Sequence, residues 1–270
     1  MFDFLKKKNV SPQQNVQEKH IFQERANVTN NVKRNKTYFE KSVEAAQRGN
    51  VVSAAHVGVS FHYGIEVGDE EHPQGLQPNV SLAIKYLNIA AQRGFLKAQL
   101  DLGLLYSDDD SPAFNPQEGL KWIMLTAQKG DAFSQHMLGY YYSVGKLLPR
   151  DEEKAYYWFL ESAFNGDKFG MHELAKIYSD RTSQLLDKED MTAEERQQAL
   201  ENSQLAFKWQ KNAADLGLAE AMYYTGVYYF AGYGVDEDIE KSIYYIDLAI
   251  DNGFEPAIDF KNEHFAEADL

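Results

Sequence analysis

The chain of 270 residues contains no cysteine. That excludes disulfide staples and cysteine-ligated metal centres, and it suits a reducing compartment. It also lacks any apolar run near the roughly 18 residues that a membrane span needs. The opening, MFDFLKKKNVSPQQ, sets only a short apolar patch before three lysines. A secretory signal places an apolar core of about 7–15 residues after its positive charge, so the sequence predicts no export and a cytoplasmic location. Basic residues are in deficit, with 27 Lys and Arg against 41 Asp and Glu and a net charge of −14. The deficit is uneven: residues 1–36 hold eight basic and three acidic residues, and the remainder holds 19 and 38. An acidic body repels phosphate, which argues against nucleic acid and leaves room for a basic protein or peptide.

What is present is a clock of glycines. Gly94, Gly130 and Gly166 are 36 residues apart, as are Gly217 and Gly253. Gly49 precedes Gly94 by 45 residues, and Gly217 follows Gly166 by 51, one period plus 9 and one period plus 15. Eight residues before the last five glycines stand Tyr86, Trp122, Trp158, Trp209 and Tyr245. A fixed period between 20 and 50 residues marks a repeat array.

One period reads as two helices. Leu82, Ala83, Tyr86, Leu87, Ala90 and Ala91 share one helical face, Gly94 stops the helix, and Ala98, Leu102, Gly103 and Tyr106 share the face of the next. Counted from each turn glycine, position +9 is Gly58, Gly103, Gly139, Ala175 and Gly226, which predicts close approach of a neighbouring helix. Position +12 is Phe61, Tyr106, Tyr142, Tyr178 and Tyr229. At +15 stand Gly64, Gly145 and Gly232, while Asp109 and Arg181 break the pattern. Small pairs such as Ala90-Ala91 and Ser162-Ala163 precede the turns. The two longer gaps place insertions near 64–79 and 179–202. The second contains Thr192-Ala-Glu-Glu195, a capping-box pattern that predicts an extra or lengthened helix.

The pattern A-x-x-x-L-G-x-x-Y-x-x-G, then A-x-x-W/Y-x-x-x-A-A-x-x-G, resembles the Sel1-like repeat (SLR), a relative of the tetratricopeptide repeat. Here it runs from Ala221 through Gly226, Tyr229 and Gly232, then through Ser242, Tyr245 and Ala249 to Gly253. The resemblance covers about Thr37 to Phe260, with departures at Gly170 and Ala175. It implies an all-α, right-handed α-solenoid of about five to six units at 37–260. A basic flexible arm at 1–36 precedes it and an acidic tail at 261–270 follows. It also implies a non-catalytic adaptor, since SLR proteins generally assemble complexes and bacterial ones serve signalling, secretion and host interaction. The runner-up is an immunity protein whose acidic groove covers a basic toxin; a hydrolase stands last.

In this architecture the helix after each turn glycine lines the concave face. Rotation by 100° per residue places +3, +6, +10 and +13 opposite its core side. Those columns hold Phe133, His136, Tyr140, Phe169, His172 and Tyr223, and the third and fourth units share GDxFxxH. They are the expected partner-binding residues, an aromatic groove for a peptide or a partner's helix. The opposing reading packs Phe133 and Phe169 between neighbouring units.

Other chemistry is thin. Ser143-Val-Gly-Lys146 matches S-x-x-K without its companion motifs. His136 and His172 lack further ligands for zinc, and Asp108-Asp-Asp110 lacks the rest of a calcium loop. No cofactor and no catalytic residue are expected. In the arm, Phe2, Phe4 and Leu5 ahead of Lys6-Lys7-Lys8 carry the chemistry of an anionic-membrane contact. The patch is too short to anchor alone, and a plain flexible start is the preferred reading.

Overall fold

The computed structural model describes residues 36–64 and 76–265, and the arm and the tip of the first insertion lie outside them. The described residues form twelve α-helices. They are α1 (Lys36–Gln47), α2 (Val51–Tyr63), α3 (Val80–Ala91), α4 (Leu96–Ser107), α5 (Pro116–Gln128) and α6 (Ala132–Val144). Then follow α7 (Glu152–Phe164), α8 (Lys168–Leu186), α9 (Ala193–Asp215), α10 (Ala219–Ala231), α11 (Ile239–Asp251) and α12 (Pro256–Phe265). The chain is an all-α solenoid of stacked hairpins. It divides into two compact units, 1–126 and 127–270.

The glycine clock has a backbone cause. Gly49, Gly94, Gly130, Gly166, Gly217 and Gly253 all adopt φ between +81° and +88°, a left-handed conformation costly for other residues. Each ends one helix one to three residues before the next begins. The following helix is started by a side chain: Asn50, Asp131 and Asp167 accept the N–H of Ser53, Ser134 and Gly170.

Hairpins pack through the +9 column. A Cβ on Gly58 would lie 2.7 Å from Leu87 Cγ, and one on Gly139 would lie 2.5 Å from the Phe159 ring. Leu87, Ile123, Phe159 and Ile246, each seven residues before a turn glycine, are fully buried. Aromatic rings close the other side. Phe61 stacks on Tyr86 at 5.9 Å, and Tyr229 stacks on Tyr245 at the same distance. Trp122, Trp158 and Trp209 share one setting, half-buried on the trailing helix of their hairpins.

The irregular fourth hairpin is now explained. Its helices are longer, with 19 residues in α8 and 23 in α9, so the second insertion lengthens both helices around a short connection at 187–192. Thr192 and Glu195 form the reciprocal capping box that starts α9. Gly170 replaces the usual alanine because Ser162 fills the space: a Cβ there would lie 2.4 Å from its Oγ. At the chain's end, Lys261–Phe265 belong to α12 and Phe265 is buried, so the boundary expected at 260 falls inside a helix.

Candidate functional site

In the second unit the leading helix of each hairpin (α6, α8, α10) carries the expected groove residues. The structure does not expose them as expected. Phe133, His136, His172 and Tyr223 are buried; only Tyr140 and Phe169 keep partial exposure. The whole +6 column is buried, from Ala55 and Leu100 to His136, His172 and Tyr223. A solenoid helix packs on its own hairpin and on the neighbouring one, so its free arc is narrower than half a turn. Tyr223 illustrates this, with Phe254 and Phe260 at 5.2 and 5.8 Å between ring centroids.

Of the expected columns, +10 keeps its exposure in this unit at Tyr140, Lys176 and Val227, and columns +7 and +14 join it in the free arc. On α8 these are Glu173, Lys176 and Asp180; on α10 they include Tyr224 and Val227. Lys176 Nζ donates to both Glu173 oxygens at 3.1 and 2.9 Å. The Glu173 and Lys176 side chains remain 24% and 53% exposed, so the pair stands at the surface of α8. Burial pushes the Glu173 carboxyl up, but the Lys176 ammonium, the largest opposing charge, helps to hold it below its usual range. Burial likewise pushes Lys176 down, and Glu173 with Glu220 on α10 reverses this. Asp180 is raised, by burial first and Glu173 second, against the pull of Lys176. Tyr224 is raised by burial and by Glu220. Asp259 and Glu263 of α12 extend the acidic field to Tyr223, whose phenol is pushed up to about 12, chiefly by burial. Three carboxylates, Glu173, Asp180 and Glu220, therefore act on Lys176, and two more, Asp259 and Glu263, act on Tyr223.

Below this surface the two histidines of GDxFxxH differ. The trailing-helix slot that holds Leu87, Ile123, Phe159 and Ile246 elsewhere holds Gln210 in the fourth hairpin. The Gln210 amide sits against His172 Nδ1, with its nitrogen at 3.1 Å and its oxygen at 3.2 Å, and Nε2 faces Glu220 Oε1 at 3.8 Å. His136 meets Phe159 in that slot. Its ring lies 5.9 Å from Phe159 and 5.7 Å from Phe169, and its buried Nδ1 has no hydrogen-bond partner.

Burial lowers the His136 pKa, with Lys176 and His172 acting the same way and Asp167 and Glu173 opposing. The ring is therefore neutral in the folded chain near neutral pH, while the unfolded chain takes up a proton near 6.5. Stability from this group is complete above that value and is lost as pH falls below it. His136→Leu should shrink the fall in urea midpoint between pH 7.5 and pH 5.5. An equal fall in both proteins would assign the acid sensitivity to other groups.

The remaining motifs are structural. Ser143 Oγ donates to the Tyr140 carbonyl at 2.9 Å, and Gly145 ends α6 in the left-handed conformation. Asp108 Oδ1 accepts the Asp110 N–H in the turn after α4. Among the described residues, no group of three or more His, Asp or Glu could hold a metal ion, and no helix is long and apolar enough to cross a membrane. The membrane contact considered for residues 1–8 lies outside the described residues.

Comparison with known proteins adds three findings. The family model for the Sel1 repeat matches residues 54–95, 96–131, 132–167, 196–218 and 219–254, omitting all of the lengthened α8 and the start of α9. The fold is similar to that of a Sel1 repeat protein from Oxalobacter formigenes, with a TM-score of 0.65 and 21% identity over 86% of this chain and 91% of that one. A more distant likeness, with a TM-score of 0.49 and 18% identity over 81% of this chain and 50% of the other, is to c5321, a protective antigen of uropathogenic Escherichia coli with an SLR fold. No curated protein matches.

Proposed function

Since this chain belongs to the Sel1 repeat family, whose members generally act as non-catalytic protein-interaction modules, we propose that the leading-helix face of its second unit binds a basic segment of a partner protein. The observation that supports this most is the acidic character of the face: Glu173, Asp180 and Glu220 act on Lys176, and Asp259 and Glu263 of α12 act on Tyr223. Tyr140, Tyr224 and Val227, each half-buried, supply contact area beside the charges. Such a face steers an oppositely charged partner and sets its register, while the aromatic rims supply affinity.

The test is a titration with two fluorescent peptides of equal length, one rich in Lys, Arg and Leu, the other with Glu in place of the bases. The basic peptide should bind and weaken at least tenfold between about 50 and 300 mM salt, because exposed charges are screened over roughly a Debye length. Equal binding of both peptides, or indifference to salt, would refute the charge-based reading.

A further inference from the structure

Arg181 stands where three other hairpins end a helix with glycine, because α8 runs on past that point. Its guanidinium carbon lies 4.6 Å from the ring centroid of Tyr156 on α7 and 5.6 Å from that of Tyr178 on its own helix. The two rings meet edge to face at 6.2 Å, and their hydroxyls hydrogen-bond to each other at 2.8 Å. The far side of the same helical turn is also fixed. Ser179 Oγ donates to Tyr233 Oη at 3.1 Å and accepts from Tyr228 Oη at 3.3 Å, and Thr182 Oγ1 donates to the Tyr178 carbonyl. Arg181 therefore projects from a rigid base onto a two-ring platform.

Arg181 is exposed and makes no ion pair among the described residues. Its neighbour Asp180 couples to Lys176 and Glu173 on the other side of the helix. In a chain of net charge −14, an arginine without a carboxylate partner, pre-oriented by aromatic stacking, presents free N–H donors to solvent.

We propose that Arg181, seated on Tyr156 and Tyr178, is a recognition point for a carboxylate carried by a bound partner, either an acidic side chain or a chain terminus. A guanidinium edge matches the two oxygens of a carboxylate with parallel hydrogen bonds. A phosphate dianion is disfavoured, because a single cation neutralises half of it while the acidic body repels it twice as strongly. This site is independent of the basic-segment face and survives if that face binds nothing.

The experiment follows arginine Nε–H signals of the full chain, labelled with nitrogen-15, at constant ionic strength under sodium acetate, inorganic phosphate or sodium chloride. The Arg181 signal, identified by its loss in Arg181→Lys, should shift saturably with acetate, while those of Arg150 and Arg196 drift linearly. Tyr156→Leu should weaken the acetate response at least threefold; should that variant not fold, the backbone signal of Thr182 in Arg181→Lys serves instead and should lose its saturable shift. An acetate response equal to that of chloride, a tighter response to phosphate, or a Tyr156→Leu protein that responds like the parent would each overturn the assignment. A peptide with a free carboxyl terminus and one with an internal glutamate and an amidated end then separate the two sources.

Discussion

Truncation of Phe159 to alanine is expected to destabilise the chain by about 3–5 kcal/mol, the range for emptying a fully buried aromatic site. Phe159 is 2% exposed and lies where a Cβ on Gly139 would clash at 2.5 Å. Its ring also lies 5.9 Å from His136. The same contact predicts the reverse experiment. Gly139→Ala gains about 1 kcal/mol of helix propensity, yet forces a methyl into a ring that has nowhere to move, and overpacking costs about 1–3 kcal/mol. The balance is destabilising. In the double variant Gly139→Ala with Phe159→Leu, the penalties should not add, because the smaller side chain yields to the methyl. Thermal or urea unfolding of the four proteins reads this directly. Strict additivity would mean that the glycine column is not set by close approach of the neighbouring helix.

Reversing the charges at Asp180, Asp259 and Glu263 to lysine is expected to weaken the basic peptide about 10- to 100-fold at low salt. Each exposed pair is worth roughly 0.2–1 kcal/mol, and reversal replaces attraction with repulsion at three positions. All three side chains are exposed, so the thermal midpoint should stay nearly where it is. The peptide rich in glutamate should gain what the basic peptide loses. Loss of affinity for both peptides would point to damage of the face rather than to its charge.

Much of the fold was legible because a repeat states each constraint several times. The turn glycines, the small pairs before them and the aromatics eight residues earlier each occupy the place that the period implies. The capping pattern at Thr192 and Glu195 located the start of α9 for a local reason that needs no tertiary contact. The functional face was less legible. The count of 100° per residue treats each helix as packed on one side only, and so it turned His136, His172 and Tyr223 outward. The neighbouring hairpin buries that column. Of the residues that do face outward, Lys176 lies in the +10 column that the count also turned outward, whereas Glu173 and Tyr224 fall in the +7 column, which has no shared chemistry and where periodicity is silent. One signal was present and unread: Gln210 stands in a column of Leu87, Ile123, Phe159 and Ile246, and a polar residue in a buried apolar slot needs a partner, here His172.

A photo-crosslinking residue placed at Val227 on the leading-helix face, or at Tyr157 or Tyr244, whose side chains are exposed on α7 and α11, tests the central claim most directly against the basic peptide. The account predicts adducts from position 227 that vanish at high salt and none from 157 or 244. Adducts from the trailing-helix positions, with none from 227, would contradict it.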